Sequence, residues 1–326
     1  MRLDASLGFE TSLSDVAVMA RAVEAAGVAG LWTAETSHDP FLPLALAAEH
    51  TSRLTLGTAI AVAFARSPVA VATSAWDLAR LSDGRFILGL GSQVRAHIER
   101  RFGMPWSGRP VAQMREYLAV VRAAWSAWQT GSRPSHRGDH YRLTLMSPFF
   151  DPGPIDHPAI PIYLAGVGGG MTRLAGEAAD GLIVHPLHSR AYLADVVLPS
   201  VVEGAAQAGR DAGAVTISGS VIVATTDAEV AAARRTVGFY ASTPTYRPVL
   251  EHHGWGGEAD ALAGHARHGR WEAMAEVVSD EMLETFAVVA PPGGLRPALE
   301  RRAQGLLDRA APYPAFGTGP WAELTP

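Results

Sequence analysis

Short apolar runs alternate with stretches of helical spacing along nearly the whole of this 326-residue chain, and no other feature constrains its fold as much. Candidate strands fall at 3–9, 31–34, 54–62, 85–89, 162–165, 182–185, 216–224, 286–289 and 307–313. Helical patterns lie between them, at about 12–26, 43–50, from Pro68, 111–128, 171–179, 192–208, 227–240 and 295–304. Pro68 at a helix start and the Asp83-Gly84 turn before 85–89 punctuate the pattern as expected. Two stretches break the rhythm and read as insertions: a Pro-rich one at about 131–160, and a mostly helical one at about 241–285 that carries four His. Eight parallel βα units in roughly this length predict an α/β fold, a TIM (β/α)8 barrel with insertions, as one domain over 1–326; a doubly wound sheet is the alternative. Nine strand candidates compete for eight places, and the open question is whether 286–289 pairs within the sheet.

Composition then removes whole classes of chemistry. The chain has no Cys, no Lys and no Asn, so its 27 basic residues are all Arg. Without Lys there is no Schiff-base nucleophile, internal pyridoxal-phosphate aldimine or Walker lysine. Without Cys there is no thiol nucleophile, disulfide framework or Cys-rich metal site. A net charge of −5 with no basic block argues against nucleic acid as a partner. The longest apolar stretch, between Arg53 and Arg66, is too short for a bilayer, and residues 1–4 lack a secretory layout. The expectation is a cytoplasmic protein with a small-molecule substrate and neither nucleic acid nor membrane as partner.

In such a barrel the chemistry sits at the carboxyl ends of the strands. After the second strand stands Glu35-Thr36-Ser37-His38-Asp39, which can line a pocket or cap the next helix. Thr58, Ala59 and Ile60 follow the third, an apolar wall with one hydroxyl. Gly91, Ser92 and Gln93 follow the fourth. The fifth ends in Gly166-Val167-Gly168-Gly169-Gly170, a glycine turn entering a helix and so a candidate phosphate site. Met171 stands where a dinucleotide fingerprint needs glycine, which disfavours a nicotinamide site. His185 and His188 follow the sixth strand as candidate catalytic groups or pocket walls. Metal binding has two weak candidates, His136 and His140 beside Asp139, and His265 with His268; no metal site is expected.

Several motifs together resemble the luciferase-like oxidoreductases. They are Leu31-Trp32-Thr33-Ala34-Glu35-Thr36 with His38-Asp39-Pro40-Phe41, Leu56-Gly57-Thr58-Ala59-Ile60-Ala61-Val62, Gly84-Arg85-Phe86-Ile87-Leu88-Gly89-Leu90-Gly91 and Ala179-Asp180-Gly181-Leu182. An actinobacterial, F420-dependent branch is matched by Glu99-Arg100-Arg101-Phe102 with Met104-Pro105-Trp106, by Ser242-Thr243-Pro244 with Tyr246-Arg247-Pro248, and by Asp280-Glu281-Met282-Leu283 before Phe286. The resemblance spans essentially the whole chain.

It implies a TIM barrel, usually a homodimer, that binds coenzyme F420 or FMN at its carboxyl face. It implies a non-prolyl cis bond at Ala59–Ile60 behind the coenzyme ring, Glu35 and Thr36 at the ring's polar edge, Thr58 beside the bulge, Gly91, Ser92 and Gln93 near the coenzyme tail, and Gly166, Val167, Gly168 and Gly169 at its phosphate. The chain departs from the sugar-phosphate dehydrogenases of this family: Val94 stands at their catalytic carboxylate, and His188 lies near their phosphate-binding lysine. Candidate proton donors are therefore His38, the first choice because imidazole titrates near neutral pH, then Glu35, His185 and His188. The expected activity is hydride transfer between F420 and a small organic substrate. A reduced-FMN monooxygenase and a non-catalytic barrel subunit are the alternatives.

Overall fold

The computed structural model describes residues 1–314; residues 315–326 of the expected domain lie outside them. Eight parallel strands close a barrel: β1 (Arg2–Ser6), β2 (Gly30–Thr33), β3 (Thr55–Thr58), β4 (Phe86–Gly91), β5 (Ile162–Gly166), β6 (Gly181–Val184), β7 (Thr216–Ala224) and β8 (Arg309–Pro314). Each pairs with its sequence neighbour, and β8 closes on β1 with Arg2 opposite Arg309. The doubly wound alternative is thereby excluded. The helices that pack outside are α1 (Leu13–Ala25), α2 (Leu42–His50), α3 (Pro68–Leu81), α4 (Pro110–Thr130), α5 (Gly169–Ala178), α6 (Leu198–Gln207), α7 (Asp227–Ala241) and α8 (Leu295–Ala303).

Two strand boundaries differ from the sequence expectation. The run 54–62 is divided: β3 stops at Thr58, and Ala61–Val62 forms a separate two-residue strand against β4. The cis Ala59–Ile60 bond between them takes the chain out of the ladder. The segment 286–289 is not a barrel strand. Phe286 ends the helix Asp280–Phe286, and Ala287–Val289 pairs only with the carboxyl end of β7, opposite 222–224. The eighth place is taken by β8, which reaches both β7 and β1.

The barrel interior is a packed core. Trp32, Ile87, Tyr163 and Ile183 fill it as one cluster, with Ala59, Ile60 and Ala165 partly buried against them. Two glycines make that packing possible. A Cβ on Gly57 would fall 2.3 Å from the Trp32 ring, and one on Gly89 would fall 1.7 Å from the Thr58 carbonyl oxygen. Toward the amino end, Arg309 donates two hydrogen bonds of 2.7 Å to Asp4, which also accepts from Trp32 Nε1 at 2.9 Å. Burying both charges is tolerable only because the pairing is bidentate and the carboxylate has a further donor.

The stretch 131–160 carries a short antiparallel pair, His136–Arg137 with Arg142–Leu143. Glu116 of α4 fastens it, accepting the backbone N–H groups of His140 and Tyr141. Those bonds and the His136 ring hold its carboxyl below the usual range, although burial opposes them. The stretch 241–285 is a series of short helices, the longest being Gly256–Arg267. Among the described residues no His, Asp or Glu side chains gather in a metal-holding group, and no helix is long and apolar enough to cross a membrane.

Candidate active site

The segment after β2 is tied to the segment after β3 through Glu35. This side chain is 6% exposed, and Arg66 donates to its Oε1 at 2.9 Å. The Val62 N–H donates to its Oε2 at 2.7 Å, and the Glu35 N–H itself donates to the Ile60 carbonyl at 3.0 Å. Both carboxylate oxygens are thus engaged in fixing the Ala59–Ile60 bulge. Arg66 also bridges to Asp39 at 2.9 Å, and the other Asp39 oxygen caps α2 by accepting from the Phe41 and Leu42 N–H groups. Of the residues in this loop that could cap the next helix, Asp39 does so. Thr36 and exposed His38 line a shallow pocket with Leu7, Gly8, Phe9 and Thr33, and Arg101 donates to the Thr36 carbonyl.

Thr58 lies wholly inside the barrel. Its hydroxyl donates to the Gly89 carbonyl at 2.7 Å and accepts the Gly89 N–H at 2.9 Å, so it locks β3 to β4. Gly91 sits beneath Ile60, where a Cβ would come 2.8 Å from the Ile60 side chain. Ser92 is half-buried, and Gln93 takes a left-handed conformation (φ 59°) that returns its side-chain oxygen to the Val94 N–H. The backbone there turns sharply at the barrel rim.

The glycine turn after β5 enters α5 without a side-chain cap. The first helical bond runs from the Thr172 N–H to the Gly168 carbonyl at 3.3 Å. The N–H groups of Gly169, Gly170 and Met171 therefore have no partner within the helix, and a Cβ on Gly168 would meet nothing within 4 Å. Tyr192 donates its hydroxyl to the Val167 carbonyl at 3.2 Å and holds the turn from the far side. Tyr192 precedes a π-helical turn, Leu193–Val197, that leads to Pro199, whose ring cannot donate to the preceding turn.

A different surface follows at the carboxyl ends of β6 to β8, beginning beside the glycine turn. His185 stacks on Tyr246 with ring centres 4.1 Å apart and meets the edge of Tyr240 at 4.5 Å. The Tyr240 and Tyr313 hydroxyls are 2.5 Å apart, and Tyr313 packs edge-on to Phe9. His185 accepts the Leu187 N–H at Nδ1, so its proton resides on Nε2. Burial, reinforced by His188, lowers its pKa to about 3 and keeps it neutral. His188 is 3% exposed. It donates from Nδ1 to the His185 carbonyl, leaving a buried Nε2 with no partner. Burial and then the nearby Arg302 lower its pKa to about 3 as well.

The structure thus brings Glu35, Thr36, Ala59, Ile60, Gly91, Ser92, Gln93 and Gly166–Gly169 to the carboxyl rim of β2–β5, with His185 next to the glycine turn at the end of the neighbouring β6. It leaves Thr58 and His188 inside and His38 at the outer edge. Arg66, Tyr192, Tyr240 and Tyr313 were not singled out from the sequence. A carboxylate beside an apolar bulge signals a need for a cation, but nothing local names Arg66. A cleft between the two surfaces is lined by Ser6, Gly8, Phe9, Trp32, Ala59 and Tyr313, with Leu7, Thr33, Ala34 and Ser220.

A model of the luciferase-like monooxygenase family matches residues 1–309. An uncharacterized protein of Mycobacterium tuberculosis is 49% identical over 318 residues, covering 96% of this chain and 93% of that protein. A second M. tuberculosis protein, provisionally named a coenzyme F420-dependent oxidoreductase, is 31% identical over 293 residues, with 84% and 83% covered. Among solved structures, the coenzyme F420-dependent tetrahydromethanopterin reductase of Methanopyrus kandleri superposes with a TM-score of 0.80 at 20% identity, over 99% of this chain and 96% of that one.

Proposed function

The chain belongs to the luciferase-like monooxygenase family and is an oxidoreductase, and we propose that it transfers a hydride between coenzyme F420 and a small organic substrate. The observation that carries this reading is the uncapped glycine turn 166–169, which lies on the same rim as the apolar platform of Ala59, Ile60 and Ala165. The three free N–H groups at the start of α5, with the positive end of the helix dipole, suit a phosphate. The platform suits a flat ring system. The residues present therefore fit a coenzyme that is flat at one end and anionic at the other. F420 is favoured over FMN by the likeness to the F420-named relative.

When bound, such a coenzyme supplies the hydride-transfer chemistry; the protein's part is to orient and to manage a proton. Glu35 and Arg66 hold the platform rigid, and Gly91 lets Ile60 lie low across the strand end. Of the four proton-donor candidates from the sequence, Glu35 is engaged by Arg66 and the Val62 N–H, and His188 is enclosed. His38 and His185 remain at the mouth.

Parallel titration with F420 and FMN tests the reading, with Trp32 in the cleft as the fluorescent reporter. Tight binding of F420 without FMN is the expected result. Preference for FMN moves the protein to the oxygen-using branch of the family, and binding of neither defeats the proposal.

A further inference from the structure

The cleft beside the platform has an uncommon lining: none of the ten residues that form it carries a charge. Its polar side-chain atoms are the hydroxyls of Ser6, Thr33, Ser220 and Tyr313 and the Trp32 indole N–H, which is engaged by Asp4. Thr33 is already committed, donating to the Pro40 carbonyl at 2.6 Å. Tyr313 is the one lining hydroxyl with a second hydroxyl behind it. Tyr240 reaches it from α7, so a residue on β8 and one on the helix after β7 share a hydrogen bond at the cleft wall.

Placing an anion against these walls would require desolvating its charge with no lining charge to pair it, which is strongly unfavourable. An uncharged oxygen would gain a donor. Accordingly, and resting on the hydride-transfer reading above, we propose that Tyr313, backed by Tyr240, binds and protonates the carbonyl oxygen of an uncharged substrate seated beside Ala59.

The step balances with the two-electron coenzyme class already named. A hydride bonds to the carbonyl carbon, the C=O π pair moves onto oxygen, and that oxygen takes the Tyr313 proton. Tyr313 recovers a proton from Tyr240, and the pair regains the one it lost from water. Burial pushes up the pKa of both phenols; Tyr240 raises that of Tyr313 further, while the hydrogen bond with Tyr313 partly offsets the rise at Tyr240. Each therefore keeps its proton until a stronger base than phenolate, an alkoxide, forms alongside. Tyr313 would touch substrate and is a catalytic residue; Tyr240 is a positioning residue.

Cyclohexanone labelled with 13C at its carbonyl, and cyclohexanecarboxylate as the charged counterpart, serve as probes of the purified full chain, alone and saturated with the coenzyme it binds. Ketone binding is expected without carboxylate binding, with the carbonyl stretch moved to lower frequency in the infrared. Tyr313→Phe keeps the ring that packs on Phe9; it should weaken the ketone about fivefold, the worth of one ordinary hydrogen bond, and abolish the frequency shift. Tyr240→Phe should leave the ketone bound but return the frequency part of the way, which a purely structural role would not do.

Equal affinity and equal frequency in wild type and Tyr313→Phe overturn the assignment. So does tighter binding of the carboxylate, or failure of the ketone to bind in either state. The ketone measurements on protein alone are independent of coenzyme titration, so failure of the hydride-transfer reading and failure of this assignment are told apart.

Discussion

The two sides of the mouth are built on opposite principles. On the side of β2–β5, charge and backbone do the holding: Arg66 spans Glu35 and Asp39, Glu35 takes the Val62 N–H, and glycines clear the surface. On the side of β6–β8, rings do it. His185, Tyr240, Tyr246, Tyr313 and Phe9 stack and meet edge to face, and His185 and His188 are kept neutral by burial. The first side is suited to hold one invariant partner in one pose, since directional bonds fix geometry. The second can accept varied apolar shapes, since ring contacts are weakly directional. A fixed coenzyme opposite a variable substrate is the division of labour this difference supports.

Four experiments press on that comparison, starting with the strongest. Arg66→Ala leaves the nearly buried Glu35 carboxylate without its cation and should cost about 3 kcal/mol in chemical denaturation, the low end for a buried pair because Arg66 is itself 29% exposed. If the loss is under about 1 kcal/mol, charge does not hold this side and the contrast collapses.

His188→Gln tests the neutral, buried character of the other side. The folded pKa of His188 is depressed to about 3, so between pH 6.5 and 3 the unfolded chain binds a proton that the folded chain refuses. Stability is then fully present above pH 6.5 and falls as the pH falls, by about 2 kcal/mol between pH 7 and 5. His185 contributes a similar loss, so urea unfolding at the two pH values should show both losses in wild type and about half the total in the Gln variant. Identical pH slopes would falsify the assignment.

Gly168→Glu places a carboxylate where three N–H groups await an anion. Because the site is open, melting temperature should hardly move while coenzyme affinity falls about tenfold. Unchanged affinity would remove the glycine turn from the site. Tyr246→Leu deletes the ring stacked on His185 and should cost about 1 kcal/mol, with coenzyme affinity unchanged. A loss larger than that of Arg66→Ala would reverse the ranking of the two sides.

The same division separates what was legible in the sequence from what was not. The rim of β2–β5 is written locally: Glu35-Thr36, Ala59-Ile60, Gly91-Ser92-Gln93 and Gly166–Gly169 are contiguous runs at strand ends, so finding the strands finds the rim. Thr58 is a case where local sequence leaves two readings, a pocket hydroxyl or part of a buried strand. A hydroxyl beside the bulge looks available, but pleat alternation turns it inward onto Gly89. The ninth strand candidate, whose pairing the sequence leaves open, does form a strand against β7 over Ala287–Val289, but the barrel is closed by β8.

Apolar periodicity, punctuation by Gly and Pro, and the absence of Lys and Cys were enough to determine an eight-unit parallel barrel, the face on which its chemistry lies and the chemistries it cannot perform. These follow from the chain itself because strand and helix periods, turn geometry and side-chain inventory are local properties. Only the tertiary structure decided that Arg66 belongs to Glu35, that His188 is enclosed while His38 is not, and that Tyr240 meets Tyr313 across 73 positions of sequence. Such pairings depend on how far each strand is staggered against the next and on which way each helix lies over the barrel, and no local period encodes either.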